Sequence, residues 1–141
     1  MNGTEQRKQR IADVWHRAWN DGRVDALDEL LAPGYVRHTQ SGDQDAASLK
    51  KAITMVKRAF PDLVTTIDDL ISENEKTVVR WHSVGTHQGE FLDVPPTERE
   101  VVVSGITIAR FDGPLIAEEW VTWDPRDLLT TLGILTLRDV T

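Results

Sequence analysis

Two stretches decide the fold of this chain: RWHSVGTHQGEF at residues 80–91 and VVVSGITIARFDGPLIAEEWVTWD at residues 101–124. Apolar and polar residues alternate along much of both stretches, which indicates β-strands whose successive side chains point to opposite faces. We predict long strands over Thr77–His87, Val101–Phe111 and Leu115–Trp123, the last two joined by an Asp-Gly turn. Such long strands in a small domain predict a strongly bent sheet that folds over a pocket.

The sequence before these strands has helical periodicity, because apolar residues recur three and four positions apart. Asp-Gly and Pro-Gly pairs divide this region into separate segments. We therefore predict a first helix from about residue 5 to residue 20 capped by Thr4, a second, short helix capped by Asp25 with Leu27, Leu30 and Leu31 facing inward, and a third helix from about residue 46 to residue 60.

The remaining segments complete the expected architecture. Residues 35–38 are predicted to be a short extended piece, residues 39–45 a polar loop and Leu63–Ser72 a further strand. Asp124 is the expected N-cap of a terminal helix that starts at Pro125 and runs to about residue 132. Helices followed by an antiparallel meander predict an α+β fold over one domain, residues 1–141, with a cone-shaped cavity between the sheet and about three N-terminal helices.

The composition excludes several classes of protein. The net charge is −7 and there is no extended basic stretch, which argues against a nucleic-acid-binding protein. The absence of cysteine excludes disulfides and thiolate metal sites. No apolar run is long enough to span a membrane, and no signal peptide is evident. We therefore expect a cytoplasmic protein without a metal or a tightly bound cofactor.

Glu119 is the carboxylate that strand alternation directs toward the pocket. The face of the last strand that carries it is the more apolar one and is assigned to the cavity, whereas Ile116 and Trp120 are assigned to the outer face. A carboxylate among apolar and aromatic neighbours suits an acid/base group with a raised pKa. The alternative is an ion pair between Glu119 and Arg110, or another cation, near the end of the strand.

The four histidines are ranked by the same alternation. His87 shares the parity of Trp81, so it either faces the pocket or orders the following loop through a hydrogen bond. His38 ends its extended piece and could reach the cavity mouth. His82 and His16 are expected at the surface. No combination of His, Asp and Glu has the spacing of a metal site.

Five tryptophans are many for a chain of 141 residues. Aromatic side chains around one cavity would suit a flat aromatic ligand, although core packing explains each of them equally well. The loop with Pro95 and Pro96 is predicted to form the edge of a lid. The candidate ligand contacts are Trp15, Trp19, Trp81, Phe91, Val121 and Trp123.

Several sequence blocks together resemble one known family. They are Ala18–Gly22, Leu27–Pro33, Tyr35–His38, Phe60–Leu63, Gly85–Phe91, Pro95–Thr97, Val103–Ile106, Ile116–Trp120 and Trp123–Asp124. In this order they resemble the SnoaL-like polyketide cyclases, also called ester cyclases. The resemblance implies the nuclear transport factor 2-like, or ketosteroid isomerase-like, α+β cone over nearly the whole chain.

The resemblance also implies a range of activities. The family includes cofactor-free aldol-type cyclases of aromatic polyketide biosynthesis and relatives that assist hydroxylation of anthracycline intermediates. The acid/base pair of the cyclases is an Asp on the last strand and a His on the preceding strand, and the matching positions here carry Val121 and Thr107. Neither residue can act as a general base, so Glu119, assisted by His38 or His87 and with Thr107 as a hydrogen-bond donor, is the expected catalytic set.

Three functions therefore stay open at this stage. The first is a cyclase acting on an apolar aromatic polyketide or similar carbonyl compound. The second is a hydroxylation-assisting protein that would need an external redox partner. The third is a non-catalytic small-molecule-binding module. A homo-oligomer, dimer or tetramer, is expected through the outer face of the sheet.

Overall fold

A computed structural model of the protein, which describes residues 3–133, contains one six-stranded sheet. The strand order is β2-β1-β6-β5-β4-β3, and all neighbouring strands are antiparallel except β1 and β6, which are parallel. The sheet is curved and unclosed, which confirms the predicted α+β class and the C-terminal meander. The strands are β1 Leu31–Thr39, β2 Gly42–Gln44, β3 Val64–Glu73, β4 Lys76–Thr86, β5 Glu100–Asp112 and β6 Leu115–Trp123.

The helical segments begin where the sequence provides caps and breaks. Asp45 accepts the Ser48 N–H at 2.8 Å to cap α2. Asp124 accepts the Arg126 N–H at 2.9 Å to cap α3, as predicted. Pro125 opens α3, at a position where a missing N–H removes no helical hydrogen bond. The segments are α1 Gly3–Trp15, a π-helix His16–Asn20, a 3₁₀-helix Val24–Glu29, α2 Ala46–Ala59 and α3 Pro125–Thr131.

Two apolar clusters pack the helices against the sheet. The first joins α1 and α2 to the strands, and Ile11, Ile53 and Phe111 are buried there. The second includes Phe60 at the end of α2 and Leu128 of α3. Burial of one such side chain stabilises the fold by about 1.5–3 kcal/mol. Side chains of both clusters line the cavity, which therefore lies between them.

The two caps predicted for the first helices are wrong. Thr4 lies inside α1, and Asp25 lies inside the 3₁₀-helix, whose N-cap residue Arg23 makes no side-chain cap bond. Leu31, predicted for the second helix, is the first residue of β1. Its side chain is nevertheless buried, in agreement with the predicted inward direction.

Residues 39–45, predicted to be a loop, form a hairpin in which β2 pairs with β1. Strand β1 is also longer than the predicted piece, because Pro33-Gly34 does not end the extended chain. Its pairing with β6 is irregular between Leu31 and Val36, and Gly34 has a φ of 79°, which glycine tolerates. Strand β2 is polar and is held in an extended conformation by its pairing with β1. The sequence of such a strand shows no apolar alternation, so the strand could not be predicted from it.

A bulge in β6 changes which residues face the core. The consecutive β5 residues Arg110 and Phe111 pair with Glu118 and Ile116, so that Ala117 has no partner. Side chains before the bulge therefore exchange faces relative to simple alternation. Ile116, predicted on the outer face, is fully buried in the core. Residues after the bulge keep the predicted faces.

Candidate functional site

A cavity of about 460 Å³ lies between the helices and the sheet. Its wall is mostly apolar, and among the described residues that line it only Glu119 and Arg37 carry a charge. These two residues are partners across the parallel β1–β6 pair. Of the predicted ligand contacts, Val121 is buried but does not line the cavity, whereas Trp15, Trp19, Trp81, Phe91 and Trp123 all line it.

Glu119 and Tyr35 form a buried hydrogen-bonded pair beside this cavity. Glu119 is 5% exposed and Tyr35 is 2% exposed. The Tyr35 hydroxyl donates to Glu119 Oε1 in a short contact. The alternative partner predicted for Glu119, Arg110, instead contacts Glu118 at 3.2 Å. Glu119 is therefore held by a neutral phenol rather than by an ion pair.

The surroundings shift the proton affinity of both members of the pair. Burial raises the pKa of the Glu119 carboxyl, because the ionised form loses its hydration. The hydrogen bond from Tyr35 and, to a smaller extent, the charge of Arg37 lower that pKa in opposition. Burial raises the pKa of the Tyr35 phenol, and the charge of Glu119 raises it further. Tyr35 thus remains a hydrogen-bond donor wherever Glu119 ionises.

Arg37 and the β1–β2 hairpin form the polar part of the cavity wall. The Arg37 guanidinium donates to Gln44 Oε1 at 2.8 Å. The hairpin residues Thr39, Gln40 and Ser41 line the cavity beside them. No role was predicted for Arg37 from the sequence, although the alternation of Tyr35, Arg37 and Thr39 becomes visible once β1 is known to be a strand beside β6.

Trp81 and Thr107 provide a second polar contact on the sheet side of the cavity. The Trp81 indole N–H donates to Thr107 Oγ1 at 3.1 Å. Gly105 makes this arrangement possible, because a Cβ there would lie 2.4 Å from the Trp81 ring and 2.9 Å from Trp123 Cβ. Trp81 and Trp123 therefore both lie close to Gly105, and any larger residue at this position would displace one of its neighbours.

The last residue of α1, Trp15, and Trp19 of the following π-helix also line the cavity, and the π-helix is held by hydrogen bonds at its end. Asn20 accepts the backbone N–H of Thr65 at 2.7 Å and donates to the Thr65 carbonyl at 3.2 Å. Lys57 donates to the Asn20 carbonyl at 2.9 Å. These bonds attach the end of the π-helix to the edge strand β3 and to α2, one residue after Trp19. Short π-helical segments are frequent at functional sites.

His38 lies on the outer face of the sheet and not at the cavity mouth. Its Nε2 is 2.6 Å from Glu118 and its Nδ1 is 2.8 Å from Asp43. The hydrogen bonds to Glu118 and then Asp43 raise the pKa of His38. The structure does not bring His38 to the cavity, because Arg37, and not its neighbour His38, shares the inward face of β1.

His87 is fully buried and supports the loop that follows β4. The Thr97 backbone N–H donates to His87 Nδ1 at 3.2 Å, and the Thr97 hydroxyl lies 2.9 Å from the same nitrogen. The ring packs beside Phe60 and is not among the residues that line the cavity. The geometry fits the loop-ordering interpretation and does not bring His87 to Glu119.

The other two histidines lie outside the cavity, in agreement with the surface prediction. His82 contacts Asp68 at 2.8 Å on the outer face, and the His16 side chain is 66% exposed. Residues 3–133 contain no group of three or more His, Asp or Glu placed to hold a metal ion. No helix in this part of the chain is long and apolar enough to cross a membrane.

The residues that form the cavity and the strands around it lie in a part of the chain that matches one family model. The model of the SnoaL-like polyketide cyclase family matches residues 9–132. The chain belongs to the SnoaL-like polyketide cyclase family. The ketosteroid isomerase-like fold implied by the resemblance is likewise confirmed.

Three solved structures are similar to almost the whole chain. AclR from Streptomyces galilaeus, a candidate hydroxylase, is 27% identical with a TM-score of 0.86, covering 94% of this chain and 99% of its own. TsrD from Streptomyces laurentii is 29% identical with a TM-score of 0.82, covering 92% and 96%. IdmH from Streptomyces antibioticus, a candidate polyketide cyclase, is 28% identical with a TM-score of 0.78, covering 91% and 99%. No functionally curated protein matches the chain.

In this SnoaL-like protein, the positions that the resemblance assigns to the acid/base pair of the cyclases carry Thr107 and Val121. The matching positions, Thr107 and Val121, are direct partners across β5 and β6 and are both buried. Neither side chain can take a proton from carbon. Glu119 lies two residues before Val121 on the same face of β6, and it is the carboxylate that lines the cavity.

Proposed function

We propose that this protein is an aldol-type cyclase that acts on an aromatic polyketide of the anthracycline type, without a cofactor. The observation that carries the proposal is Glu119, a carboxylate in an apolar cavity with a raised pKa and a phenol as its hydrogen-bond partner. A general base works best when its pKa lies near the working pH, and burial moves a glutamate in that direction.

In the proposed reaction the Glu119 carboxylate removes a proton from a carbon beside a carbonyl and leaves an enolate. The enolate carbon then forms a bond to a second carbonyl carbon of the same molecule, whose oxygen becomes an alkoxide. Glu119 returns its proton to this alkoxide. The product is an isomer of the substrate, because no atom is gained or lost.

Thr107 and the cavity tryptophans have supporting roles in this proposal. Thr107 Oγ1 accepts the Trp81 N–H, which leaves its hydroxyl proton for a substrate oxygen. The tryptophans that line the cavity offer flat apolar surfaces for an aromatic substrate. The folded substrate would be held with its two carbonyl groups close together, which supplies much of the acceleration in an intramolecular reaction.

The test is turnover by Glu119→Gln with anthraquinone-type polyketide methyl esters, followed by mass spectrometry. We expect wild type to give a product of unchanged mass and altered retention, and the variant to be about 10²–10⁴-fold slower. Glu118→Gln is the matched control, because Glu118 is the adjacent glutamate but contacts His38 on the outer face. Full activity of Glu119→Gln would remove this residue from the mechanism.

A second candidate function is hydroxylation of a polyketide intermediate. It is favoured by the similarity to AclR and by the uncharged pair Thr107 and Val121. One oxygen atom of O₂ would enter the substrate, and the other would leave as water with two electrons from an external redox partner. A product heavier by one oxygen, formed only when reductant is supplied, would favour this function over cyclisation.

We also propose that the protein forms a homo-oligomer, a dimer or a tetramer, through the outer face of its sheet. Val64, Val84 and Val102 are cross-strand neighbours on β3, β4 and β5. Val64 is 52% exposed and Val102 is 50% exposed. A row of exposed apolar side chains on a sheet is a common contact surface between identical subunits. A non-catalytic binding module would show the same association without turnover.

A further inference from the structure

Arg37 carries the positive charge of the cavity wall, and that charge has no ion-pair partner among residues 3–133. The other arginines that form ion pairs in this part of the chain do so at the surface. Glu119, the cross-strand partner of Arg37, is hydrogen-bonded to Tyr35 instead. Within residues 3–133, the side chain of Arg37 donates a hydrogen bond to the neutral amide of Gln44.

A guanidinium in this position has capacity for a ligand. Arginine has five N–H donors in a planar fork, and Gln44 occupies one nitrogen, Nη1. The side chain is half-buried and lines the cavity, so part of its hydration is already lost. A partly buried charge gains more from an oppositely charged partner than a hydrated one does. The charge of Arg37 acts on the Glu119 carboxyl, but among residues 3–133 the guanidinium donates no hydrogen bond to a carboxylate, so its remaining N–H groups can take an anionic oxygen in the cavity.

The cavity is divided into a polar end and an aromatic end. Arg37 and Gln44 lie with Thr39, Gln40 and Ser41 on the β1–β2 hairpin. The tryptophans come from the last residue of α1, from the π-helix and from β4 and β6. A ligand that fills both ends is therefore amphipathic, with oxygen atoms at the hairpin and aromatic rings toward the tryptophans.

We propose that the cavity selects aromatic compounds that carry an oxyanion, and that the Arg37 guanidinium pairs with this oxyanion at the hairpin end. The oxyanion is a carboxylate, a phenolate or an enolate, which share a charged oxygen conjugated to the ring system. This inference rests on the proposed function for the identity of the reacting carbonyl groups. It does not depend on turnover, because it concerns which ligand binds and in which direction.

The register of the sheet connects this contact to the proposed chemistry. Because Arg37 and Glu119 are adjacent across β1 and β6, an oxyanion at Arg37 lies beside the carboxylate that moves the proton. An enolate formed by that proton transfer would be stabilised by the same guanidinium. Arg37 would then determine both the orientation of the substrate and its preference for acidic compounds.

The experiment measures binding through quenching of tryptophan fluorescence. The probes are anthraquinone-2-carboxylate, 2-hydroxyanthraquinone above the pKa of its phenol, and their uncharged methyl ester and methyl ether. We expect wild type to bind each anion at least about tenfold more tightly than its methylated partner. Arg37→Gln removes the charge and should abolish this preference, whereas Arg37→Lys should retain part of it as a point charge.

Arg80→Gln is the matched control, because Arg80 lies on the outer face with Asp69 and should leave the preference unchanged. Wild type that binds the charged and methylated probes equally, or that binds neither, would overturn the proposal. Retention of the full preference in Arg37→Gln would overturn it as well. Glu119→Gln separates the two proposals, because it should lose turnover and keep the preference for oxyanions.

Discussion

At the scale of single residues, Glu119 combines burial with a hydrogen bond from Tyr35, and these two features act in opposite directions on its pKa. Burial raises the pKa of the carboxyl, and the hydrogen bond lowers it. A carboxylate must be ionised to act as a base, so turnover should increase as the pH rises through the raised pKa. The phenol therefore sets how acidic the medium can be before activity is lost.

Tyr35→Phe tests this balance. Removal of the hydrogen bond takes away a contact that stabilises the ionised carboxyl, so the pKa of Glu119 should rise further. We expect the acidic limb of the profile of kcat/KM against pH to move to higher pH, with a smaller change on the plateau. An acidic limb that stays in place or moves to lower pH would separate Tyr35 from the ionisation of Glu119.

The inward direction of the Glu119 side chain was predictable from the sequence, whereas its neighbours Tyr35 and Arg37 were not. Alternation along a long apolar strand was sufficient to direct Glu119 inward, since residues after the bulge keep the simple pattern. Tyr35 and Arg37 were missed because their strand is interrupted by Pro33-Gly34 and gains its order from β6. Contacts between residues distant along the chain leave no local pattern from which they could be predicted.

At the scale of elements, the β1–β2 hairpin is attached to β6 by a histidine between two carboxylates. His38 reaches Asp43 on β2 and Glu118 on β6. Since hydrogen bonds to these carboxylates raise the pKa of His38, the stabilisation is fully present below the ordinary histidine value. It is lost as the pH rises through the raised pKa, because the neutral imidazole no longer attracts both carboxylates.

A double-mutant cycle between His38→Gln and Asp43→Asn should therefore give a coupling that depends on pH. We expect a favourable coupling free energy at about pH 6, where His38 is charged, and a smaller one at about pH 9. Urea unfolding of the four proteins at both values measures it. A coupling of equal size at the two values would show that the contact does not involve a charged imidazole.

Gly105 on β5 leaves room for two tryptophans on the neighbouring strands, Trp81 on β4 and Trp123 on β6. A Cβ at this position would lie 2.4 Å from the Trp81 ring and 2.8 Å from the Thr122 carbonyl oxygen. Because the Thr122 oxygen belongs to the backbone, Gly105→Ala should reduce the free energy of unfolding by about 1–3 kcal/mol. It should also alter the quenching of tryptophan fluorescence by aromatic ligands. The exposed neighbour Ser104→Ala serves as the control, and equal stability of the two variants would contradict the argument.

The elements themselves were predictable to different degrees. The long meander strands and α2 have a clear apolar period and strong end signals, such as Asp124-Pro125. The short strand β2 and the bulge at Ala117 were not predictable, because neither is specified by a local preference. The bulge inverted the assignment of Ile116, since one extra residue exchanges the two faces of a strand.

At the scale of the whole molecule, the proposed association of subunits depends on the exposed valine row of the outer face. Val102→Glu places a charge in the centre of this surface and should convert the oligomer into monomer, because burial of an unpaired carboxylate is unfavourable. Met55→Glu is the control, since Met55 is 55% exposed on α2 and away from the sheet. Sedimentation velocity of the two variants gives the masses. An oligomer that survives Val102→Glu would place the interface elsewhere.

The pair formed by Tyr35 and Glu119 also has a consequence for how the protein becomes active. The two residues are 84 positions apart, and they meet only when β1 docks beside β6. The proton affinity proposed for catalysis is thus acquired only when β1 and β6 are paired. If the chain is divided into two fragments in the loop at Pro95-Pro96, each fragment alone should be inactive. Turnover that returns when the fragments are mixed would show that β1 and β6 have paired again. Turnover would then be a measure of the fraction of molecules in which the sheet is fully assembled.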